Sequence, residues 1–224
     1  MTSVLLIGLG KFGRTLGEQL IEMGDEVMIV DKDESKINPI ASKYTNALIA
    51  NCMNEESLAS MDIPSFDICV VAIGDDFQSS LEITSLLKDL GAKRIVSKAT
   101  TDIQRKFLFR AGADEVIYPD RDVAEKLAVR INSKNIINFI DIDDTYAIFE
   151  ISLPEPWTGK KLIDINPRAN YGINILTVKK ESHVIASLDG DYVFEPKDQL
   201  VVFGNTQTIL KFTNKFAVKK RRRK

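Results

Sequence analysis

Apolar residues recur at two different spacings over roughly the first half of the chain. Short apolar runs rich in β-branched residues predict strands, whereas apolar residues repeated every three or four positions predict helices. Phe12, Leu16 and Leu20 illustrate the helical spacing. The predicted strands are residues 3–8, 26–31, 46–51, 68–73, 94–99 and 115–118.

Strands that are apolar throughout and alternate with helices predict a parallel sheet covered on both faces. We therefore predict an α/β fold, a Rossmann-like doubly wound parallel sheet with the strand order 3-2-1-4-5-6. Gly24 and Gly91 stand where two of the helices should end, as left-handed caps. A further helix is predicted over residues 121–133. The sheet is covered by then, so its apolar stripe is expected to face outside the domain, for example toward a second subunit; the stripe is Val123, Leu127, Ala128 and Ile131.

The pattern changes from Thr145 onward, where short strands are separated by Pro and Gly. A final helix is predicted over residues 206–216, capped by Asn205 or Thr206. We predict a Rossmann-like domain over residues 1–134, a hinge at 135–139, a small α+β domain over 140–218 and a basic tail over 219–224. The predicted strands of the α+β domain are residues 146–153, 174–178, 183–187, 192–195 and 199–203.

The run from Gly8 to Gly13, Gly-Leu-Gly-Lys-Phe-Gly, follows a predicted strand and opens a predicted helix, which is the context of a dinucleotide-binding loop. Gly8 allows a tight turn, Gly10 lets the backbone approach a pyrophosphate, and Gly13 lets the helix pack closely on the strand. Asp31 ends the second strand, where a carboxylate can accept hydrogen bonds from ribose hydroxyls. With no arginine directly beside it, Asp31 favours an unphosphorylated ribose.

Further candidate residues stand at the ends of the later strands. Asn51 could bond an adenine edge or be a polar strand end, and Lys98 could hold a phosphate or be a surface lysine. Lys11 adds positive charge at the loop helix, while Asp75 and Asp76 are expected to cap a helix. The predicted nucleotide-binding residues are Gly8, Gly10, Lys11, Phe12, Gly13, Asp31, Lys32, Asn51, Cys52, Ala72, Ile73, Gly74 and Lys98.

Composition and charge narrow the classes of function. The formal net charge is −2 although the last six residues are all basic, so the rest of the chain is acidic, which argues against nucleic acid as a ligand. No apolar run approaches the ~20 residues of a membrane helix, so no direct membrane insertion is predicted. His183 is the single histidine, and no catalytic motif accompanies it, so we predict that the chain is not an enzyme. The alternative is a small NAD(H)-dependent oxidoreductase or NAD(H) redox sensor, since the loop and Asp31 suit NAD equally well.

From Val4 to about Phe216 the chain resembles the cytosolic regulatory subunits of Ktr/Trk-type potassium uptake systems, which are built from RCK domains. The segments that carry the resemblance are residues 8–13, 30–31, 49–51, 70–74, 97–99, 112–114, 163–166, Arg168 and residues 171–175.

The resemblance implies a gating subunit that binds ATP or ADP in the crevice. Dimers would assemble into an octameric ring, in the cytoplasm and peripheral to the membrane through a potassium channel subunit. Asp31 would bind ribose, Asn51 adenine and Lys98 the phosphate side. Lys11 stands where the family often has an arginine that reaches a neighbour's γ-phosphate, and lysine lacks the bidentate fork.

Two further ligands follow from the resemblance. Asp120 falls where relatives have a Glu near a divalent cation shared between subunits, and a helix N-cap is its simpler role. The C-terminal domain resembles versions that bind cyclic di-AMP at a two-fold interface, with Arg168 as the phosphate-binding fork. The candidates for this site are Ile163, Arg168, Asn174 and Ile175.

Overall fold

The computed structural model describes residues 1–133, 135–181 and 183–216, so the predicted basic tail lies outside the described residues. The chain forms two compact units, Met1–Arg121 and a second that begins at Asp122. The division falls within a long helix, which begins in the first unit and continues in the second.

The first unit contains one parallel sheet of six strands. Its order, β3-β2-β1-β4-β5-β6, confirms the predicted topology. Several strands end one or two residues before the predicted position because their last predicted residues belong to the loops that follow them. The strands are β1 (Ser3–Ile7), β2 (Glu26–Asp31), β3 (Asn46–Ile49), β4 (Ile68–Val71), β5 (Ile95–Lys98) and β6 (Glu115–Ile117).

Helices cover both faces of this sheet. Alternate residues of a strand point to opposite faces, and accordingly Leu5 and Ile7 belong to one apolar core while Val4 and Leu6 belong to another. The sheet is therefore doubly wound, as predicted. The covering helices are α1 (Lys11–Glu22), α2 (Glu34–Ile37), α3 (Glu55–Ala59), α4 (Phe77–Asp89) and α5 (Asp102–Arg110). Helix α6 (Pro119–Asn132) follows β6 and buries none of its residues.

Gly24 and Gly91 follow α1 and α4 with φ of +88° and +82°, which confirms their role as left-handed caps. The predicted stripe on α6 is exposed, with Val123 at 66%, Leu127 at 46% and Ile131 at 73% of their full accessibility.

The second unit is built around an antiparallel sheet with the order β10-β9-β11-β8-β7. Helix α9 packs Ile209 and Phe212 into the core of this unit. The predicted cap of α9 is confirmed, since the Asn205 side chain accepts a hydrogen bond from the backbone N–H of Thr208. The elements are β7 (Ile136–Asp141), β8 (Tyr146–Ser152), α7 (Leu162–Ile165), α8 (Pro167–Tyr171), β9 (Asn174–Lys179), β10 (Val184–Ile185), β11 (Gln199–Asn205) and α9 (Thr206–Lys215).

Two predictions for the second unit are wrong. The predicted hinge at 135–139 lies largely in strand β7, which pairs with β8 and buries Ile136 and Phe139. Residues 192–195 form no strand and make one isolated bridge, between Lys161 and Val193. Phe194 is buried because it packs beside Trp157, so its apolar character reflects a core position in a loop.

Candidate functional site

A cleft opens at the carboxyl ends of the first unit's central strands, where the strand order reverses between β1 and β4. Ligands of doubly wound sheets bind at this switch point. The cavity measures about 190 Å³. It is lined by Ile7, Gly8, Gly10, Asp31, Lys32, Lys36, Ala50, Asn51, Cys52, Met53, Ala72, Ile73, Asp75, Asp76, Ser79 and Ile83.

The glycine loop forms one wall of the cleft. Gly8 has a φ of +96°, and a Cβ on Gly13 would stand 2.0 Å from the Gly8 carbonyl oxygen, so the loop and α1 can approach only without side chains. Helix α1 begins after Gly10 with no side-chain cap and no acidic residue in its first turn. Its first N–H groups and its positive dipole end are therefore available to an anion.

Two backbone N–H groups hold the side chain of Asp31 in place. It is a buried residue, and its Oδ2 accepts from the N–H of Leu9 at 2.8 Å while its Oδ1 accepts from the N–H of Asp33 at 2.9 Å. The Lys36 ammonium lies 3.2 Å from Oδ2. These contacts fix a carboxylate at the end of β2, where the sequence predicted a ribose-binding group.

Asn51 and Cys52 give the cleft one polar and one largely apolar group. The side-chain carbonyl of Asn51 accepts from the N–H of Met53 at 3.2 Å, which leaves its amide NH₂ as the donor for a ligand. Burial, together with the Asp31 charge, raises the pKa of the Cys52 thiol to about 12. Cys52 is therefore a neutral, largely apolar wall at physiological pH.

Eight of the predicted nucleotide-binding residues line the cavity, namely Gly8, Gly10, Asp31, Lys32, Asn51, Cys52, Ala72 and Ile73, and five do not. Lys11, Phe12 and Gly13 follow in α1. The Lys98 ammonium lies 5.7 Å from the centre of the Phe12 ring. It also lies close to Gly74, since a Cβ on Gly74 would be 3.0 Å from the Lys98 Nζ. Lys98 makes no ion pair with any carboxylate in the described part of the chain, so its charge is available beside the loop.

Several residues that line the cleft are not among the predicted nucleotide-binding residues. Asp76 caps α4, as predicted, by accepting from the N–H of Ser79 at 3.1 Å, and the Ser79 hydroxyl and N–H lower the pKa of Asp76. Asp75 does not cap this helix, so that prediction is wrong. Lys36 belongs to α2, a four-residue helix that hydrophobic spacing cannot reveal.

A second hollow, of about 340 Å³, lies in the second unit and contains all four residues predicted for cyclic di-AMP. Arg168 is exposed and forms no ion pair with a described carboxylate. Asn166, with a φ of +44°, caps α8 by accepting from the N–H of Ala169 and so starts the helix that carries Arg168. The hollow is lined by Leu162, Ile163, Asn166, Pro167, Arg168, Ile173, Asn174, Ile175 and Gly190.

Asp120 is exposed in the first turn of α6, one residue inside the helix, so the predicted N-cap role is wrong. Among residues 1–133, 135–181 and 183–216, no group of three or more His, Cys, Asp or Glu side chains could hold a metal ion. Across the same residues, no helix has the length and apolar character needed to span a membrane.

Comparison with known proteins agrees with this architecture. The TrkA-N domain model matches residues 4–119, and the TrkA-C domain model matches residues 146–217. The chain is 38% identical over 209 residues to the Ktr system potassium uptake protein A of Bacillus subtilis (strain 168), covering 93% of this chain and 94% of that protein.

Solved structures of low sequence identity share the fold. The GsuK channel bound to NAD has a TM-score of 0.68 at 15% identity, over 95% of this chain and 39% of that one. GsuK bound to ADP has a TM-score of 0.52 at 15% identity, over 58% of this chain and 34% of that one. This chain thus spans less than half of each of those solved chains. With both domain models matched, the chain belongs to the Ktr/Trk family of potassium uptake proteins, as a regulatory subunit with the RCK fold.

Proposed function

We propose that this chain is the gating subunit of a potassium uptake channel and that ATP and ADP in the cleft of the first unit set its state. The observation that carries the proposal is the fixed carboxylate of Asp31 beside the uncapped start of α1. A carboxylate suits a ribose, and free N–H groups at a helix start suit a pyrophosphate. The ADP and NAD reported for the GsuK structures have the same adenosine and pyrophosphate groups.

The chemistry of the cleft favours binding without catalysis. The residues that line it include no histidine, and the Cys52 thiol is neutral at physiological pH because its pKa is raised to about 12. An oxidoreductase would require a general acid or base that can exchange a proton with its substrate at neutral pH. A nucleotide can then act only by binding two states of the protein unequally. In this proposal Lys11 contributes to that difference by meeting the additional phosphate of ATP.

The hollow of the second unit suits a second, anionic ligand. We assign cyclic di-AMP to it because Arg168 offers a guanidinium that no described carboxylate pairs with, while Ile163 and Ile175 offer apolar surface for a base. Asn174 adds a polar side chain at the start of β9.

The assembly belongs to the same proposal. The exposed stripe of α6 suits packing against a second copy, and an octameric ring of dimers would lie in the cytoplasm against the channel subunit. A divalent cation at Asp120 would need carboxylates from another copy, since the described residues offer no such group within one chain.

Titration calorimetry of the purified protein with ATP, ADP and NADH in one buffer tests the nucleotide proposal. We expect ATP and ADP to bind, and Asp31→Ala to weaken both by at least about tenfold because a hydrogen-bonded charge is lost. Asp25→Ala is the matched control. Its carboxylate also accepts a backbone N–H, that of Thr2, but lies outside the cleft, so nucleotide affinity should not change.

Binding confined to NADH would contradict this proposal. It would instead favour the NAD(H) redox sensor, for which the NAD-bound GsuK channel is the supporting observation.

A further inference from the structure

Lys36 makes a contact that the proposed nucleotide site must accommodate. Its ammonium lies 3.2 Å from Oδ2 and 3.4 Å from Oδ1 of Asp31, so it spans the carboxylate. The Asp31 side chain is only 6% exposed, whereas that of Lys36 is 38% exposed. The carboxylate is therefore fixed, and the lysine is the partner that can move.

The acceptor positions of Asp31 are nearly filled before any ligand arrives. A carboxylate offers about four acceptor positions. The N–H groups of Leu9 and Asp33 take one on each oxygen, and the Lys36 ammonium takes a position shared by both. A ribose that donates its 2′- and 3′-hydroxyls to Asp31 must therefore compete with Lys36.

We propose that Lys36 determines how strongly the cleft prefers a free ribose 2′-hydroxyl, an inference that rests on the proposed nucleotide function. When Lys36 is paired with Asp31, it weakens the bond between the hydroxyl and the carboxylate. When the ribose displaces it, the ammonium stays near the 2′ position because the helix that carries it begins just after Asp33.

The same ammonium changes the response to a phosphorylated ribose. A 2′-phosphate carries a charge of about −1.5 to −2 and is repelled by Asp31. Lys36 offsets this repulsion, and Lys32 adds a second positive charge among the residues that line the cleft. Lys36 thus reduces two ratios of affinity. One compares a ribose that has a 2′-hydroxyl with one that has a hydrogen there, and the other compares it with one that has a 2′-phosphate.

The test compares ADP, 2′-deoxy-ADP and 2′-phospho-ADP by calorimetric titration of wild-type protein and Lys36→Met. Ratios of affinity between these ligands cancel the contribution of their common diphosphate. In Lys36→Met we expect the preference for ADP over 2′-deoxy-ADP to rise by about fivefold, since the hydroxyl gains unshared access to Asp31. The preference for ADP over 2′-phospho-ADP should rise by about tenfold, since a compensating charge is lost.

Two variants separate this role from loss of structure. Lys36→Arg keeps the positive charge, so neither preference should rise as it does in Lys36→Met. Because a guanidinium can bind a phosphate bidentately, 2′-phospho-ADP should bind at least as well relative to ADP as it does to wild-type protein. Lys43→Met removes an ammonium paired with Glu18 at 3.4 Å, outside the cleft, and should leave the ratios unchanged.

Ratios in Lys36→Met within about twofold of wild type would overturn the role of Lys36, while ADP binding itself would leave the nucleotide function standing. If wild-type protein bound none of the three ligands, the nucleotide function would fail and this inference with it.

Discussion

The two candidate sites of this chain differ in how far main-chain groups and side chains form them. In the first unit, the cleft is shaped by the main chain, through a glycine loop, an uncapped helix start and a carboxylate fixed by two backbone N–H groups. In the second unit, the hollow is shaped by side chains on two short helices and the start of a strand, and its charge comes from Arg168.

This difference determines how each site can be damaged. The part of the cleft that is made of backbone tolerates many side-chain changes, but it fails where a side chain obstructs the path of the main chain. A site made of side chains loses its ligand when one of them changes, while the fold around it persists. Single substitutions in the two units can test this difference.

Gly13→Ala should have the largest effect because its Cβ would stand 2.0 Å from the Gly8 carbonyl oxygen, a backbone atom that cannot turn away. We expect the free energy of unfolding of the first unit to fall by about 3 kcal/mol, measured by urea denaturation. Gly10→Ala is the control, since a Cβ there has no heavy atom within 4 Å. Equal destabilisation by the two variants would contradict the role of close packing.

Arg168→Gln should leave the fold intact and weaken cyclic di-AMP binding by about tenfold to a hundredfold, because a charge-assisted hydrogen bond to phosphate is lost. Titration calorimetry with cyclic di-AMP measures the loss. The affinity for ADP should not change. Lys160→Gln removes an exposed positive charge from the same unit but outside the hollow, so it controls for long-range attraction. A loss as large in Lys160→Gln would show that the guanidinium has no specific role.

Asn205→Ala should have the smallest effect. It removes the cap of α9, whose side chain accepts from the N–H of Thr208 at 3.2 Å, and should lower the free energy of unfolding of the second unit by about 1 kcal/mol. Asn205→Asp keeps an acceptor and should retain most of the stability in the same urea titration. If the aspartate variant were as unstable as the alanine variant, the cap would not be the cause.

The sequence alone predicts the first unit well because its physical determinants are local. Apolar runs separated by helical spacing give six parallel strands, and right-handed crossovers then leave few possible orders. The glycine loop and Asp31 follow directly from strand ends, and Gly8, Gly10 and Asp31 line the cleft.

The features that the sequence does not predict depend on contacts between residues far apart in the chain, or on elements too short to show a hydrophobic period. Phe194 resembles a strand residue in its local pattern, but its burial comes from the aromatic ring of Trp157. Strand β7 is recognisable only through its pairing with β8. Lys36 reaches Asp31 because a four-residue helix turns it back toward the strand end, and no spacing rule describes that turn.

The strand order of the first unit has a consequence for synthesis on the ribosome. Strand β1 is made first and lies between β2 and β4, but β4 is made only after β2 and β3 are complete. One edge of β1 therefore stays open on the nascent chain until Ile68–Val71 emerges. A pause in translation before that point would leave a half-sheet of three strands with an unpaired apolar edge, which is the kind of intermediate that aggregates.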